Sequence, residues 1–273
     1  EIPLPKRELV ALVAIPVVVA IIVWLPAWTL LLLLGAAVTV AADELLAMAR
    51  GAGVACGRWL PLTCLVGLMA ASWRFGPVGF TWVAVATLMA IPTAQLAHPD
   101  RPAGSLSGAA VSAFSVLFLG AMAVSLGWIR LWPAEDFAIR MVLLYLATIW
   151  IGDSGAYYVG RRFGRHKMSP RISPNKTWEG LAAGMITAVG AAAILGMILG
   201  IELSWPDLTA VAVIIAVATP VGDLVESQFK RDTRVKDSSG LLPGHGGLLD
   251  RTDSLLYAAP PVLAYLMLVG LVP

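Results

Sequence analysis

The chain has 273 residues, of which 59% are hydrophobic and only 13% charged, and its mean hydropathy is +0.83. These values exclude an ordinary water-soluble domain and indicate an all-α polytopic membrane protein. The net charge of +2 says little by itself, since in a membrane protein the placement of charge matters more than its sum, and no nucleic-acid partner is expected.

Taken in chain order, apolar stretches of spanning length fall at about 8–25, 28–49, 57–73, 77–97, 106–128, 137–160, 177–200, 208–229 and 251–271. That predicts about nine transmembrane helices, with the third and fourth separated only by Trp73-Arg74-Phe75-Gly76-Pro77. The first run, Leu9 to Leu25, is long enough to span and has no small-residue cleavage site, so it is expected to be a retained span. Cys56 and Cys64 lie in or near apolar segments without zinc or redox spacing and are expected to be packing residues. With nine helices, 16 of the 19 Lys and Arg residues fall on one side. Arg74 and Arg130 fall on the other, and Arg140 lies inside the sixth run. The asymmetry predicts a cytoplasmic N-terminus and a C-terminus outside.

Residues 1–135, about five spans, are mostly Ala, Val, Leu and Gly and read as scaffold; their few polar positions form no constellation. The polar residues concentrate in 136–273, whose two charged loops, 161–176 and 230–250, both face the cytoplasm on this count. In the eighth run Asp223, Glu226, Ser227 and Lys230 share one helical face. Asp250 and Asp253 share the first turn of the ninth. Acids inside spanning segments are costly and face polar cavities, ions or basic partners. Facing carboxylates at two helix ends are oxygen ligands of the kind magnesium prefers. A solvated helix end and complementation of the helix dipole are the plainer explanations.

Between these runs Lys230, Arg231, Arg234 and Lys236 lead into Pro243-Gly244-His245-Gly246-Gly247. Glycines before a helix let backbone N–H groups approach a phosphate. Cations for phosphate oxygens and acids for a metal together match a Mg-nucleotide, although neither nucleotide-binding glycine motif of soluble folds is present. His245 is either a structural hydrogen-bonding residue or a catalytic one. In the other loop Asp153 and Tyr157 share a face, and the arginines read equally as a patch for anionic membrane lipids. Thr177 is an expected N-cap with Glu179 in the first helical turn, which leaves Lys176 beside them unexplained. Gly160-x-x-x-Gly164, Gly180-x-x-x-Gly184 and Gly196-x-x-x-Gly200 are compatible with close helix packing and carry no function in a chain of 26 glycines.

One stretch combines Ser227-x-Phe229-Lys230-Arg231, Lys236-Asp237, Leu242-Pro243-x-His245-Gly246-Gly247-Leu248-x-Asp250-Arg251-Thr252-Asp253. It resembles the signature of the phosphatidate cytidylyltransferases, or CDP-diacylglycerol synthases. Asp153 with Ala156-Tyr157, and Ser173-Pro174-x-Lys176-Thr177-x-Glu179-Gly180, resemble other recurrent stretches of that family. The resemblance implies transfer of a cytidylyl group from CTP to phosphatidic acid at the cytoplasmic face of a prokaryotic inner membrane. It implies Asp223 and Asp250 as ligands of Mg2+, with Asp253, Glu226 and Asp153 in support, and leaves a second, monovalent cation open. Lys230, Arg231, Lys236 and Arg251 would offset phosphate charge; Asp237 and His245 belong to the same catalytic stretch. Lys176, Glu179, Ser227, Gly246 and Gly247 would contact substrate. A homodimer is expected only from the resemblance and the small-residue faces. The other readings are a cytidylyltransferase acting on a different lipid phosphate, such as an unsaturated ether lipid, and a proton-coupled transporter motivated by the intramembrane acids.

Overall fold

A computed structural model describes residues 6–97, 104–241 and 246–270, with side chains from residue 15 onward. His245, together with residues 242–244, lies outside the described residues. The helices in chain order are α1 (Lys6–Trp24), α2 (Ala27–Gly51), α3 (Trp59–Gln95), α4 (Ser105–Arg130) and α5 (Glu135–Phe163). A short antiparallel hairpin, β1 (Lys167–Ser169) and β2 (Ser173–Thr177), leads to α6 (Trp178–Ile198), α7 (Trp205–Asp232), α8 (Leu249–Tyr257) and α9 (Ala259–Leu268). The fold is all-α apart from that hairpin. Among the described residues six helices, α2 to α7, are long and apolar enough to cross a membrane. Their outer faces carry large apolar side chains, such as Ile186 at 74% exposure and Trp82 at 68%. Water would penalise such a surface and lipid would not.

α3 is not one straight rod. Gly76 sits at φ 64°, ψ −146°, backbone space that is essentially reserved for glycine. A Cβ on Gly67 would lie 3.9 Å from Val83, and one on Gly79 would lie 2.2 Å from the Ala71 carbonyl. In a straight helix residues 67 and 83 would stand about 24 Å apart. The chain therefore reverses at Gly76, and residues 59–75 and 77–95 pack against each other.

The chain forms two compact units. The first comprises residues 1–18, 28–127 and 229–252. Its core joins Val38, Ala41 and Leu46 of α2, Leu65 and Leu68 of α3, and Leu119 and Ala123 of α4, all essentially inaccessible. Phe229, at the end of α7, packs edge-on against Phe114 and Phe118 of α4.

The second unit comprises residues 19–27, 128–228 and 253–273. Its core joins Met141, Leu144 and Tyr145 of α5 to Val211 and Ile215 of α7 and Leu256, Val262 and Leu266 of α8 and α9. α5 and α6 meet along small residues. A Cβ on Gly184 would come within 3.0 Å of Ala156 Cβ and 3.1 Å of the Gly152 carbonyl, and one on Gly180 within 2.9 Å of the Ala156 carbonyl. The Gly180-x-x-x-Gly184 spacing is thus a packing seam, in which backbones approach because no side chain intervenes. Acids in the first turn of α5 (Glu135, Asp136) and arginines in its last (Arg161, Arg162) match the polarity of the helix dipole.

Gly184→Leu should force α5 and α6 apart and lower stability by about 1–3 kcal/mol. Thermal unfolding of the detergent-solubilised variant checks this, a lowered midpoint being the expected result.

Candidate active site

In the second unit a cavity of about 700 Å³ opens between α5, α6, α7 and the hairpin. Its lining carries Asp153, Tyr157 and Arg161 of α5, Lys167 and Lys176 of the hairpin and Asp223 of α7. Lys176 Nζ lies 2.9 Å from Asp223 Oδ2 and donates at 2.9 Å to the Pro220 carbonyl. That accounts for the lysine which capping left unexplained: it ties the hairpin to α7. Thr177 is the N-cap of α6, its hydroxyl accepting from the Gly180 amide at 3.2 Å.

Glu179 does not line this cavity. Its carboxylate accepts from the His166 amide at 3.2 Å and contacts His166 Nδ1 at 2.5 Å, so it closes the turn into β1. His166 thus engages this carboxylate through both its backbone and its ring.

Asp223 also accepts from the Ser227 hydroxyl at 3.2 Å, the interaction expected of residues four apart on one helical face. One carboxylate oxygen from each of Asp223, Glu226 and Asp253 lies within 4.8 Å of the others. Glu226 is buried and its two companions half-buried. Three carboxylates in that space repel strongly, and an all-oxygen donor set suits a hard divalent cation. The residues present therefore fit the metal that the sequence implies, with Asp223, Glu226 and Asp253 as the set that comes together.

Asp250 is differently engaged. It belongs to the first unit, where Lys230 Nζ approaches its Oδ1 at 2.5 Å and both side chains are nearly inaccessible. Its Oδ2 accepts from the Ser238 amide at 2.9 Å, the Ser238 hydroxyl at 2.8 Å and the Gly247 amide at 2.8 Å. Burial alone would raise the pKa of this carboxyl; the Lys230 ammonium and these donors outweigh burial and hold it well below the usual carboxylate range. In this conformation Asp250 organises the loop through all of those donors.

The sequence reading missed Glu44. This residue of α2, 6% exposed, accepts from the Ser238 hydroxyl at 2.9 Å and the Ser239 hydroxyl at 2.6 Å. It also accepts from the amides of Leu248 at 3.0 Å and Leu249 at 2.8 Å. Of the two amides expected to meet phosphate, that of Gly247 is met by Asp250, and the next two amides along the chain are met by Glu44. A Cβ on Gly247 would fall 2.1 Å from Ser238 Oγ and 2.4 Å from Glu44 Oε2. Gly246, at φ 78°, would set a Cβ 2.6 Å from Asp250 Oδ2. These two glycines are required by the close approach of the two acids. An Asp43-Glu44 pair within a spanning apolar run was the available signal for Glu44.

Of the remaining expected residues, Lys236, Asp237 and Arg251 are exposed, and Arg231 reaches the Val235 carbonyl at 3.4 Å.

A sequence model of the cytidylyltransferase family matches residues 5–269. The chain belongs to the cytidylyltransferase family. It is 36% identical to the phosphatidate cytidylyltransferase of Staphylococcus epidermidis over 156 residues, 57% of this chain and 58% of that protein. It is 41% identical to the Bacillus subtilis protein of the same name over 126 residues, 46% of this chain and 47% of the relative. The Haemophilus influenzae protein of that name is 48% identical over 124 residues, 44% of this chain and 43% of the relative. The matches thus span about half the length of these curated relatives.

For this cytidylyltransferase-family chain Glu44 is a sharp test of the loop. Glu44→Gln keeps one acceptor oxygen and turns an amide toward donors, so it should be nearly as damaging as Glu44→Ala, about 2–3 kcal/mol. Faster proteolysis within residues 236–248, measured on folded protein, is the expected readout.

Proposed function

We propose that this protein transfers the cytidylyl group of CTP to phosphatidic acid, releasing pyrophosphate and forming CDP-diacylglycerol. The observation that carries the reading is the cavity in the second unit: cations at its hairpin end and a carboxylate set beside Lys176, within helices long and apolar enough to span a bilayer. The names of the curated relatives support the same substrates. A lipid phosphate and a soluble triphosphate meet only at a membrane surface, which is where such a cavity has access to both.

In the proposed reaction a phosphate oxygen of phosphatidate attacks the α-phosphorus of CTP. The new P–O bond forms as the bond to the bridging oxygen of the β-phosphate breaks, and pyrophosphate leaves with that electron pair. The nucleophile is already anionic, so alignment and charge neutralisation should outweigh general-base catalysis. Lys176, Lys167 and Arg161 line the cavity as partners for phosphate oxygens. The resemblance, rather than any contact with this cavity, assigns Lys230, Arg231, Lys236 and Arg251 to phosphate charge and His245 to the same catalytic stretch. Asp223, Glu226 and Asp253 would hold Mg2+, which when bound neutralises phosphate charge and polarises the phosphorus centre. Asp250, fixed by Lys230 and Ser238, keeps the loop ordered; its resemblance-based role as a metal ligand requires it to exchange one of those donors.

The reading extends to topology: nine spans, a cytoplasmic N-terminus, the C-terminus outside, and the inner membrane of a prokaryote. The distribution of Lys and Arg supports that orientation. A homodimer remains part of the proposal on the resemblance, since Gly180 and Gly184 are taken up by the seam between α5 and α6.

Purified protein in mixed micelles should release pyrophosphate from CTP only when phosphatidate and magnesium are both present; no lipid-dependent release would refute the reading. Asp223→Asn should lower turnover at least a hundredfold while leaving the thermal midpoint near wild type, because the metal set and the Lys176 pair share this residue.

A further inference from the structure

The cavity has a second polar layer that the proposed reaction does not use. Thr148 of α5 and Thr219 of α7 both line it, at 0% and 4% exposure, and neither hydroxyl has a hydrogen-bond partner among the described residues. This is unusual within the same chain. Seven other helical threonines, including Thr187 of α6, donate to the carbonyl four residues back. That back-bond is the default for a threonine inside an apolar helix. A buried hydroxyl left without a partner is costly, and both of these line one cavity.

Their place along the helices defines what they could meet. Thr148 precedes Asp153 by five residues and Thr219 precedes Asp223 by four, which sets them about 6–8 Å beyond the acids, away from the hairpin. Their neighbours in the lining there are apolar: Ile149, Ala188 and Ile215. A hydroxyl donor in such surroundings suits a neutral carbonyl acceptor and disfavours a phosphate, whose charge would be stripped of water. In a diacylglycerol phosphate the ester carbonyl follows the phosphate through P–O–C–C–O–C=O, roughly 6 Å when extended. With the phosphate beside Lys176, the ester groups reach the level of the two threonines and the acyl chains begin among the isoleucines.

We infer that Thr148 and Thr219 form a subsite for the acyl-ester carbonyls of the lipid substrate, making the enzyme selective for ester-linked over ether-linked lipid phosphates. This rests on the proposed reaction at the same cavity and adds the chemical feature of the lipid that the cavity selects. A nucleobase carbonyl is the other neutral acceptor of the reaction, and the apolar neighbours favour the lipid.

The test compares a diester phosphatidate with the diether analogue of equal chain length, in wild type and in Thr148→Val/Thr219→Val. Valine keeps the shape and removes only the hydroxyl. Wild type should favour the diester, and the double variant should lose about tenfold in kcat/KM for the diester, through KM, until the two lipids are used alike. Its KM for CTP should stay at the wild-type value, and its thermal midpoint should not fall, because these hydroxyls have no internal partner to lose. Thr148→Ser/Thr219→Ser, which restores both donors, should recover the ester preference. An unchanged diester-to-diether ratio in the valine variant would overturn the inference, and so would a raised KM for CTP, which would assign the hydroxyls to the base. Binding of both lipids without CTP, read by tryptophan fluorescence in micelles, separates the two levels. An ester preference that valine abolishes supports the subsite even if no pyrophosphate is released, whereas turnover without that preference retains the reaction and rejects the subsite.

Discussion

A carboxylate carried on an apolar helix persists only where donors or cations meet it, and this constraint organises both units. Glu44 sits buried on α2, and four donors from residues 238–249 converge on it. Asp250 is matched in the same way by Lys230, Ser238 and Gly247. Each acid satisfies amides at the start of α8 that would otherwise lack partners, so the loop and the helix end are ordered by the same contacts that make the buried charges tolerable.

The second unit solves the problem differently. Asp223 has Lys176 and Ser227, but Glu226 and Asp253 bring two more carboxyl groups into the same few ångströms. In the proposed reaction, the electrostatic cost of gathering three carboxylates would be offset by a bound divalent cation and the phosphates it carries. The first unit uses its carboxylates to hold backbone, and the second gathers three of them within 4.8 Å of one another.

Backbone proximity supplies the remaining constraint. α5 and α6 approach through glycine and alanine, which brings the hairpin and its Lys176 to the rim of the cavity and keeps the walls thin. Larger residues on that seam would fill the space between the helices before any substrate reached it.

Much of this was legible in the chain itself. Hydropathy marked the apolar runs, and Gly76-Pro77 marked the reversal inside α3, because a glycine at positive φ before a proline cannot continue a helix. Periodicity brought Asp223 to Ser227, and Thr177 announced the start of α6 through local capping. All of these depend on residues within about four positions of one another, where spacing alone decides geometry. Tertiary structure decided the rest. Glu44 and Ser238 are separated by 194 positions, and nothing local ties them. The contact of Glu179 with His166, 13 positions back across the hairpin, is equally beyond local spacing. Whether Asp250 meets donors or a cation, and which three acids come together, depends on which groups packing leaves within reach, and a buried charge takes its meaning from those neighbours.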